Sequence, residues 1–223
     1  MAAQGGSGVI RGDMVKPIAQ RVEAVILDFG GVFTRNEVSD ALFGEWDRQL
    51  GREPGTIRHA LHWGEAWEAA STGRITPEAY WSEVGAPLEG SLPPEFGMLR
   101  TGVFLIEPIN EEMVRVATRL QRQTRLALCS NAMHDLEEVL KGRPDIRSLF
   151  DVVVASIVAG VRKPDPAILL LTAEQLGVAP DRCLLIDDKA RNTNAARGMG
   201  MPSLLFRSTD LLSRDLNRLG LLP

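Results

Sequence analysis

Val25-Ile26-Leu27-Asp28-Phe29-Gly30-Gly31-Val32 is the stretch that decides the fold. Three aliphatic residues in a row indicate a buried strand, and the acid and glycines that follow indicate that the strand ends in a turn. In open parallel α/β sheets, ligands bind at the carboxyl ends of the strands. The sequence therefore predicts that Asp28 lies at the mouth of a ligand site, with Gly30 two residues further on.

The same arrangement, an apolar run followed by polar residues, occurs three more times along the chain. Helix-like segments separate the runs, and this alternation predicts an α/β fold with a doubly wound parallel sheet and right-handed crossovers. The polar ends would then share one crevice. The three runs and their polar ends are Arg125 to Cys129 with Ser130 and Asn131, Val152 to Ala155 with Lys163 in the next loop, and Cys183 to Ile186 with Asp187 and Asp188.

The interval between the first and second strands is too long for a simple crossover connection. It contains helix signals, and it is predicted to form a small α-helical cap over residues 36–106, inserted into a core formed by 21–35 and 107–223. Residues 1–20 are predicted to be a flexible leader. The expected cap helices run from Asp40 to Leu50 with Ser39 as N-cap, from Thr56 to Ala70, and onward from Thr76-Pro77-Glu78. Asn110 is expected to cap the next helix, which belongs to the core.

Composition excludes several classes of function. The 223-residue chain has a formal net charge of −4 and no basic stripe, which argues against binding nucleic acid or an anionic membrane. The absence of a signal-like start or a membrane-length apolar run predicts a cytoplasmic protein. Cys129 and Cys183 lie within predicted buried strands, so we expect core thiols and no disulfide.

The order and spacing of Asp28, Ser130, Lys163 and the pair Asp187-Asp188 resemble the four motifs of the haloacid dehalogenase superfamily. Most members of that superfamily are magnesium-dependent phosphatases, and the resemblance extends from about Val22 onward. It implies that Asp28 is the nucleophile, with Ser130 and Lys163 as further catalytic residues. It also implies that a small phosphorylated metabolite, such as a sugar phosphate, is hydrolysed through an aspartyl-phosphate intermediate.

The resemblance further implies a Mg²⁺ site and a phosphate cradle. The expected metal ligands are Asp28, the backbone carbonyl of Gly30, Asp187 and Asp188, although Asp187 could instead act through water or hold Lys163. Magnesium prefers such oxygen ligands. Lys163 can offset the phosphate charge, since unit charges about 4 Å apart attract by about 4 kcal/mol at an effective dielectric near 20. Backbone N–H groups at Gly30, Gly31 and Asn131 are the expected substrate-binding donors.

Gly30 departs from the phosphatase pattern, in which this position usually holds the aspartate that acts as general acid and base. Such assistance is typically worth about 10²- to 10⁴-fold, so we expect slow turnover of ordinary alkyl phosphates. Anomeric sugar phosphates and acyl phosphates, whose leaving groups depart easily, are the favoured substrates. The segments His62 to Trp67 and Gly73 to Glu78 resemble the caps of sugar-1-phosphate phosphatases and of the phosphatase domain of soluble epoxide hydrolases.

Two other functions stay open from the sequence, and a third is disfavoured. A 2-haloacid dehalogenase would also lack the second aspartate, although the acidic pair at 187 and 188 would repel its carboxylate substrate. A binding module without turnover is consistent with Gly30. Phosphonate hydrolysis is disfavoured because 33–107 contains no lysine for a Schiff base. The sequence leaves the oligomeric state open. The candidate substrate contacts are Trp63, Trp67, Trp81, Arg35, Arg58 and Arg74, and His134 is the histidine that could face the site.

Overall fold

The computed structural model of the chain describes residues 22–85, 105 and 107–222. Within them, five strands form one parallel sheet in the order β3-β2-β1-β4-β5. The order reverses at β1, which confirms the predicted doubly wound α/β architecture. The strands are β1 (Ala24–Leu27), β2 (Arg125–Ser130), β3 (Val152–Ala155), β4 (Cys183–Asp187) and β5 (Ser203–Leu205).

Among the described residues, four helices follow β1, and seven more alternate with the later strands. The first four are α1 (Glu37–Gln49), α2 (Thr56–His62), α3 (Glu65–Ser71) and α4 (Pro77–Gly85). The others are α5 (Glu111–Leu120), α6 (Asp135–Gly142), α7 (Pro144–Arg147), α8 (Ser156–Ala159), α9 (Pro166–Leu176), α10 (Ala190–Gly198) and α11 (Thr209–Arg218), with a 3₁₀ turn at Pro180–Arg182 before β4.

Helices cover both faces of the sheet, so the central strand is buried on both sides. All four residues of β1 are buried. Val25 and Leu27 pack in one apolar cluster with α5, α6 and α11, whereas Ala24 and Ile26 pack in a second cluster with α9 and α10. This two-sided burial explains why the strand reads as a continuous aliphatic run.

The helices α1 to α4 pack around an apolar cluster of their own, which includes Phe43, Trp46, Leu61 and Tyr80. The buried Asp47 carboxylate accepts the N–H of Gly55 (2.6 Å) and the N–H of Ile57 (2.9 Å), which fixes the start of α2 against α1. The limits of the cap and core stay predictions, because 86–104 and 106 lie outside the described residues, as does the predicted leader.

Two helix predictions in this region were wrong. Ser39 does not cap α1, which begins at Glu37. The N–H groups of Val38 (3.3 Å) and Ser39 (2.9 Å) donate instead to the carboxylate of Glu107, from the segment that returns to the core. The single helix expected over Thr56 to Ala70 is broken between α2 and α3, where Gly64 adopts a left-handed φ of 95°.

Other predictions were confirmed. Asn110 caps α5, since its side chain accepts the N–H of Met113 (3.3 Å), and α4 begins at Pro77 as expected. Cys129 and Cys183 are buried free thiols. None of the described helices is long and apolar enough to cross a membrane.

Candidate active site

The strand register brings the carboxyl ends of three strands to one level. Leu27 in β1 pairs with Leu128 in β2 and with Ile186 in β4. Asp28 follows directly, and its N–H donates to the Ile186 carbonyl (3.0 Å). Because the strand order reverses at β1, the crevice at this edge of the sheet opens beside Asp28.

Lys163 joins the polar strand ends into one cluster. Its Nζ lies 2.9 Å from Asp28 Oδ1 and donates to Asp187 Oδ2 (2.7 Å) and to the Cys129 carbonyl (2.7 Å). The lysine side chain is only 1% exposed. Burial acts to lower the pKa of this ammonium group, but the carboxylates of Asp187 and Asp28 outweigh burial and raise the pKa above its ordinary value. Lys163 is therefore a fixed positive charge.

Asp28 has an unusually basic carboxylate. Burial raises the pKa of this group to about 7, with the charges of Asp187 and Asp188 acting in the same direction and Lys163 opposing them. Its Oδ1 also accepts the Phe29 N–H (2.7 Å), which fixes the orientation of the carboxylate. A cation placed beside these acids would favour the ionised form of Asp28.

Asp187 and Asp188 lie in different environments. Asp187 is fully buried, and its carboxylate accepts hydrogen bonds from Lys163 Nζ, the Lys189 N–H (2.8 Å) and Asn192 Nδ2 (2.9 and 3.0 Å). Asp188 Oδ2 pairs with Lys189 Nζ (2.6 Å), whereas its Oδ1 is buried without a hydrogen-bond partner in the described part of the chain. The carboxylates of Asp28, Asp187 and Asp188 offer ligand atoms that lie within 4.8 Å of one another.

Gly31 allows the turn after β1 to approach Asp188. Its φ is 77°, in the left-handed region that glycine adopts without strain, and a Cβ at this position would lie 2.5 Å from Asp188 Oδ2. The Gly31 N–H donates to Thr34 Oγ1 (3.1 Å), within the tight turn closed on the Phe29 carbonyl. Its role as a substrate-binding donor stays a prediction.

Ser130 and Asn131 occupy the end of β2 in different ways. Ser130 Oγ is buried and has no hydrogen-bond partner among the described residues, so it is a hydroxyl without a protein contact in a polar crevice. The Asn131 side chain bonds both backbone groups of Lys163, donating to its carbonyl (2.7 Å) and accepting its N–H (2.8 Å). Asn131 therefore holds the lysine loop, and only its backbone N–H stays a predicted substrate contact.

A cavity of about 260 Å³ lies over this cluster. Asp28, Gly30, Ser130, Asn131 and Lys163 line its floor. Side chains from α2 to α4, together with residues from the core loops, form the walls. They include Arg58, His62, Trp63, Trp67, Arg162 and Arg191.

A family model for haloacid dehalogenase-like hydrolases matches residues 22–200, which is most of the chain. The chain belongs to this hydrolase family. The family resemblance expected from the four motifs is thereby confirmed, and the protein is a hydrolase.

Relatives of this hydrolase include proteins named as phosphatases. It is 44% identical over 66 residues to flavin mononucleotide hydrolase 1 of Arabidopsis thaliana, which covers 30% of this chain and 27% of that protein. It is 27% identical over 203 residues to the sesquiterpene phosphatase astK of Aspergillus oryzae, covering 88% of this chain and 96% of that protein. The match spans only 27% of the Arabidopsis hydrolase, 36% of the drimenol cyclase drtB of Aspergillus calidoustus and 19% of acyl-CoA dehydrogenase family member 10 of Mus musculus. The whole activities of these relatives therefore do not carry over from the match alone.

Solved structures of the family share the fold. A haloacid dehalogenase-family enzyme from Bacteroides thetaiotaomicron, in complex with magnesium and inorganic phosphate, aligns with a TM-score of 0.65 at 17% identity. The alignment covers 83% of this chain and 94% of that chain. At this level of identity the likeness concerns the fold, which is the same parallel sheet with flanking helices.

Of the candidate substrate contacts proposed from the sequence, the structure of this haloacid dehalogenase-like hydrolase places some at the cavity and others away from it. Trp63, Trp67, Trp81 and Arg58 line it. Arg35, Arg74 and His134 are not among the described residues that do.

The residues that line the cavity without having been proposed from the sequence include His62, Arg162 and Arg191. His62 has its pKa lowered to about 4 by burial and by the nearby charges of Arg58 and Lys189, so its imidazole is neutral at pH 7. The only sequence feature that could have indicated these arginines is their closeness to predicted site residues. Arg162 lies directly before Lys163, and Arg191 lies three residues after Asp188.

Proposed function

We propose that this hydrolase is a Mg²⁺-dependent phosphohydrolase of small phosphorylated metabolites, with Asp28 as nucleophile. The observation that carries the proposal is the convergence of four groups at the cavity floor, three from strand ends and one from the loop after α8. These groups are the Asp28 carboxylate, the buried Lys163 ammonium 2.9 Å from it, the unpartnered Ser130 hydroxyl and the Asp188 carboxylate. Nucleophile, counter-charge, donor and metal ligand are the parts that phosphoryl transfer through a carboxylate requires.

The acidic cluster fits a magnesium ion. Asp188 Oδ1 is a buried carboxylate oxygen without a partner in the described residues, and such a group is costly unless it meets a cation or a donor. We assign the metal to Asp28, Asp188 and the Gly30 carbonyl. Asp187 already has its hydrogen bonds within the protein, so we give it the role of holding Lys163. When bound, Mg²⁺ would offset the negative charge of the phosphoryl group.

Hydrolysis then proceeds in two displacements. A carboxylate oxygen of Asp28 attacks phosphorus, a new O–P bond forms, and the ester P–O bond breaks as the leaving group departs with its electron pair. Lys163 and the Ser130 hydroxyl stabilise the negative charge on the transferring oxygens. Water next attacks the phosphorus of the aspartyl-phosphate, which releases inorganic phosphate and restores the Asp28 carboxylate.

Gly30 supplies no proton to the leaving group, and this determines the preferred substrates. His62 lines the cavity, but its pKa of about 4 leaves no proton to donate at neutral pH. Substrates whose leaving group departs without protonation are therefore favoured, namely anomeric sugar phosphates and acyl phosphates. The names of two relatives add flavin mononucleotide and a sesquiterpenyl phosphate as candidates to be tried.

The test is phosphate release from glucose 1-phosphate, acetyl phosphate, flavin mononucleotide and farnesyl phosphate, with Mg²⁺ or with chelator. Asp28→Asn serves as the blank. We expect Mg²⁺-dependent release that this substitution abolishes. Activity that persists in Asp28→Asn would refute the nucleophile assignment, and no release from any substrate would refute the phosphatase function. Chloride release from 2-chloropropionate without metal would favour the dehalogenase hypothesis instead.

A binding module without turnover is distinguished by a mimic of the aspartyl-phosphate intermediate. Beryllium fluoride with Mg²⁺ forms an acyl-phosphate analogue on a competent aspartate. We expect wild-type protein, but not Asp28→Asn, to be stabilised against thermal unfolding by this mixture. A wild-type protein that does not respond would support the binding module.

A further inference from the structure

Two arginines line the cavity without a salt bridge to any carboxylate of the described residues. Arg162 immediately precedes Lys163, and Arg191 lies in the first turn of α10, three residues after Asp188. Arg162 Nη1 and Arg191 Nε are both shielded from solvent and make no hydrogen bond within the described residues. A buried charged donor without a partner is costly, so its presence at a cavity wall indicates a place for an acceptor.

The other cations of the cavity each lie against a carboxylate. Lys163 pairs with Asp28 and Asp187, and Lys189 pairs with Asp188. Arg58 contacts the Asp40 carboxylate through Nη2, although that atom makes no hydrogen bond within the described residues. In the part of the chain that the structure describes, neither Arg162 nor Arg191 lies within ion-pair distance of a carboxylate, so the unbalanced positive charge of the cavity is concentrated on these two guanidinium groups.

The charges of Arg162 and Arg191 also indicate a place for an acceptor. Burial lowers the pKa of Arg162, Glu68 opposes this, and the charge of Arg191 lowers the pKa further. The two guanidinium groups are therefore close enough to repel each other. An oxyanion placed between them would relieve both the repulsion and the loss of hydration.

Tryptophans from the cap helices hold both guanidinium groups in place. Arg191 Cζ lies 4.3 Å from the centre of the Trp63 ring, and Arg162 Cζ lies 5.7 Å from the centre of the Trp67 ring. Trp63 is in turn stacked on His59 at 6.0 Å. Stacking occupies the face of a guanidinium group and leaves its N–H edge available for a planar or tetrahedral oxyanion.

We propose that Arg162 and Arg191 form a second anion subsite, so that the substrate carries a carboxylate or a second phosphate in addition to the phosphate that is hydrolysed. This inference rests on the proposed phosphatase function, because it places the first phosphate at Asp28. The cavity of about 260 Å³ lies just below the range of about 300–1,000 Å³ typical for ligand pockets, which suits a small metabolite with two anionic groups.

Two matched pairs of substrates test the proposal. Phenyl phosphate and 4-carboxyphenyl phosphate differ by a carboxylate, and glucose 1-phosphate and glucose 1,6-bisphosphate differ by a phosphate. For the wild type we expect kcat/KM to be about tenfold or more higher for at least one of the two doubly anionic compounds, as charge-assisted bidentate contacts provide. The pair that shows the preference identifies which oxyanion the subsite binds.

Arg162→Gln and Arg191→Gln should each remove most of that preference while kcat/KM for phenyl phosphate stays within about threefold of wild type. Arg197→Gln is the matched control, since Arg197 lies on the same helix, is exposed and bonds Asn194 and the Ser203 carbonyl. It should keep the wild-type preference. Near-UV circular dichroism and phenyl phosphate turnover verify that each variant is folded.

Three results would overturn the subsite. The wild type could show no preference in either pair, the substitutions could leave the preference intact, or they could lower kcat/KM equally for all four compounds. The last result would mean that the arginines serve the reacting phosphate or the closure of the cap.

A binding measurement separates this inference from the proposed function. Asp28→Asn, titrated with the same four compounds and followed by tryptophan fluorescence, should bind the preferred doubly anionic compound about tenfold more tightly than its partner. This preference should be lost in the double variants with Arg162→Gln or Arg191→Gln. If no compound is hydrolysed but the binding preference appears and depends on the arginines, the phosphatase function fails and the subsite stands. If hydrolysis occurs but the preference is absent, only the subsite fails.

Discussion

Gly31→Ala tests whether the close approach of the β1 turn to Asp188 is needed for the metal site. An added Cβ would lie 2.5 Å from Asp188 Oδ2, 2.9 Å from its Cγ and 3.2 Å from Asn36 Nδ2. Contacts this short are not tolerated, so the Asp188 carboxylate must move away from the turn. Its pairing with Lys189 and its position in the acidic cluster would change with it.

The substitution has two effects of different origin. An alanine at a φ of 77° is strained by about 1–2 kcal/mol, as left-handed backbone is for any residue with a Cβ. If Asp188 binds Mg²⁺ as proposed, displacement of its carboxylate should further lower Mg²⁺ affinity and activity by about 10- to 100-fold, the usual loss when an orienting contact is removed. We therefore expect a modest loss of stability together with a large loss of Mg²⁺ affinity.

Gly200→Ala separates the two effects. Gly200 has a φ of 85°, but an added Cβ meets no atom within 4 Å. Urea unfolding should show similar losses of stability for both variants, whereas Mg²⁺ titration of phosphate release should show a loss only for Gly31→Ala. If Gly31→Ala has the Mg²⁺ dependence of the wild type, the close approach of the turn does not organise the metal site, and the reasoning is refuted.

Two further predictions concern the proton chemistry of the cavity. Gly30 is not among the glycines with positive φ, so Gly30→Asp adds little backbone strain, and we expect kcat for glycerol 3-phosphate to rise about 10²-fold relative to kcat for acetyl phosphate. An unchanged ratio would show that the missing acid does not limit turnover. His62 has a pKa of about 4 when folded and 6.5 as its reference value, so below pH 6.5 the unfolded chain binds a proton that the native state does not. The stability that this residue contributes is present above pH 6.5 and is lost on acidification. In urea unfolding, the free energy of unfolding of the wild type should therefore fall by about 2–3 kcal/mol more than that of His62→Phe between about pH 7 and about pH 4.5. Equal losses in both proteins would contradict the buried neutral imidazole.

The strand-end residues could be predicted from the sequence because a parallel sheet brings them together. Once the runs before Asp28, Ser130 and Asp187 are recognised as neighbouring strands, their carboxyl ends meet at one edge, and the observed register places them there. The lysine is harder to place from its spacing alone. Its position depends on two hydrogen bonds between the Asn131 side chain and the lysine backbone, one donated by Asn131 and one accepted by it, which no local pattern indicates.

The errors come from contacts between residues distant in sequence. Ser39 has the type and position of an N-cap, but a carboxylate 68 residues away accepts its N–H, and Glu107 is therefore the residue that stabilises the start of α1. The break between α2 and α3 did have a local signal in Gly64, which argues for more weight on a glycine inside a helical pattern.

Arg162 and Arg191 were missed for a related reason. Arginines in loops are common, and only the contacts with Trp67 and Trp63 show that these two turn towards the cavity. A sequence pattern can predict which strand ends converge, but it does not predict which loop side chains reach an inserted helix. Substrate specificity depends on the second kind of contact.

Charge balance at the cavity floor indicates an order of binding. The carboxylates of Asp28, Asp187 and Asp188 face the ammonium groups of Lys163 and Lys189, so with all groups ionised the cluster carries one net negative charge. A phosphate dianion would be repelled by this cluster, whereas a divalent cation would be attracted and would change the net charge to positive. The raised pKa of Asp28, about 7, has the same origin, since burial and the neighbouring acids disfavour its ionised form until a cation arrives. We therefore expect the cation to bind first, to release a proton from Asp28 near neutral pH, and to create the positive field that the phosphate then enters.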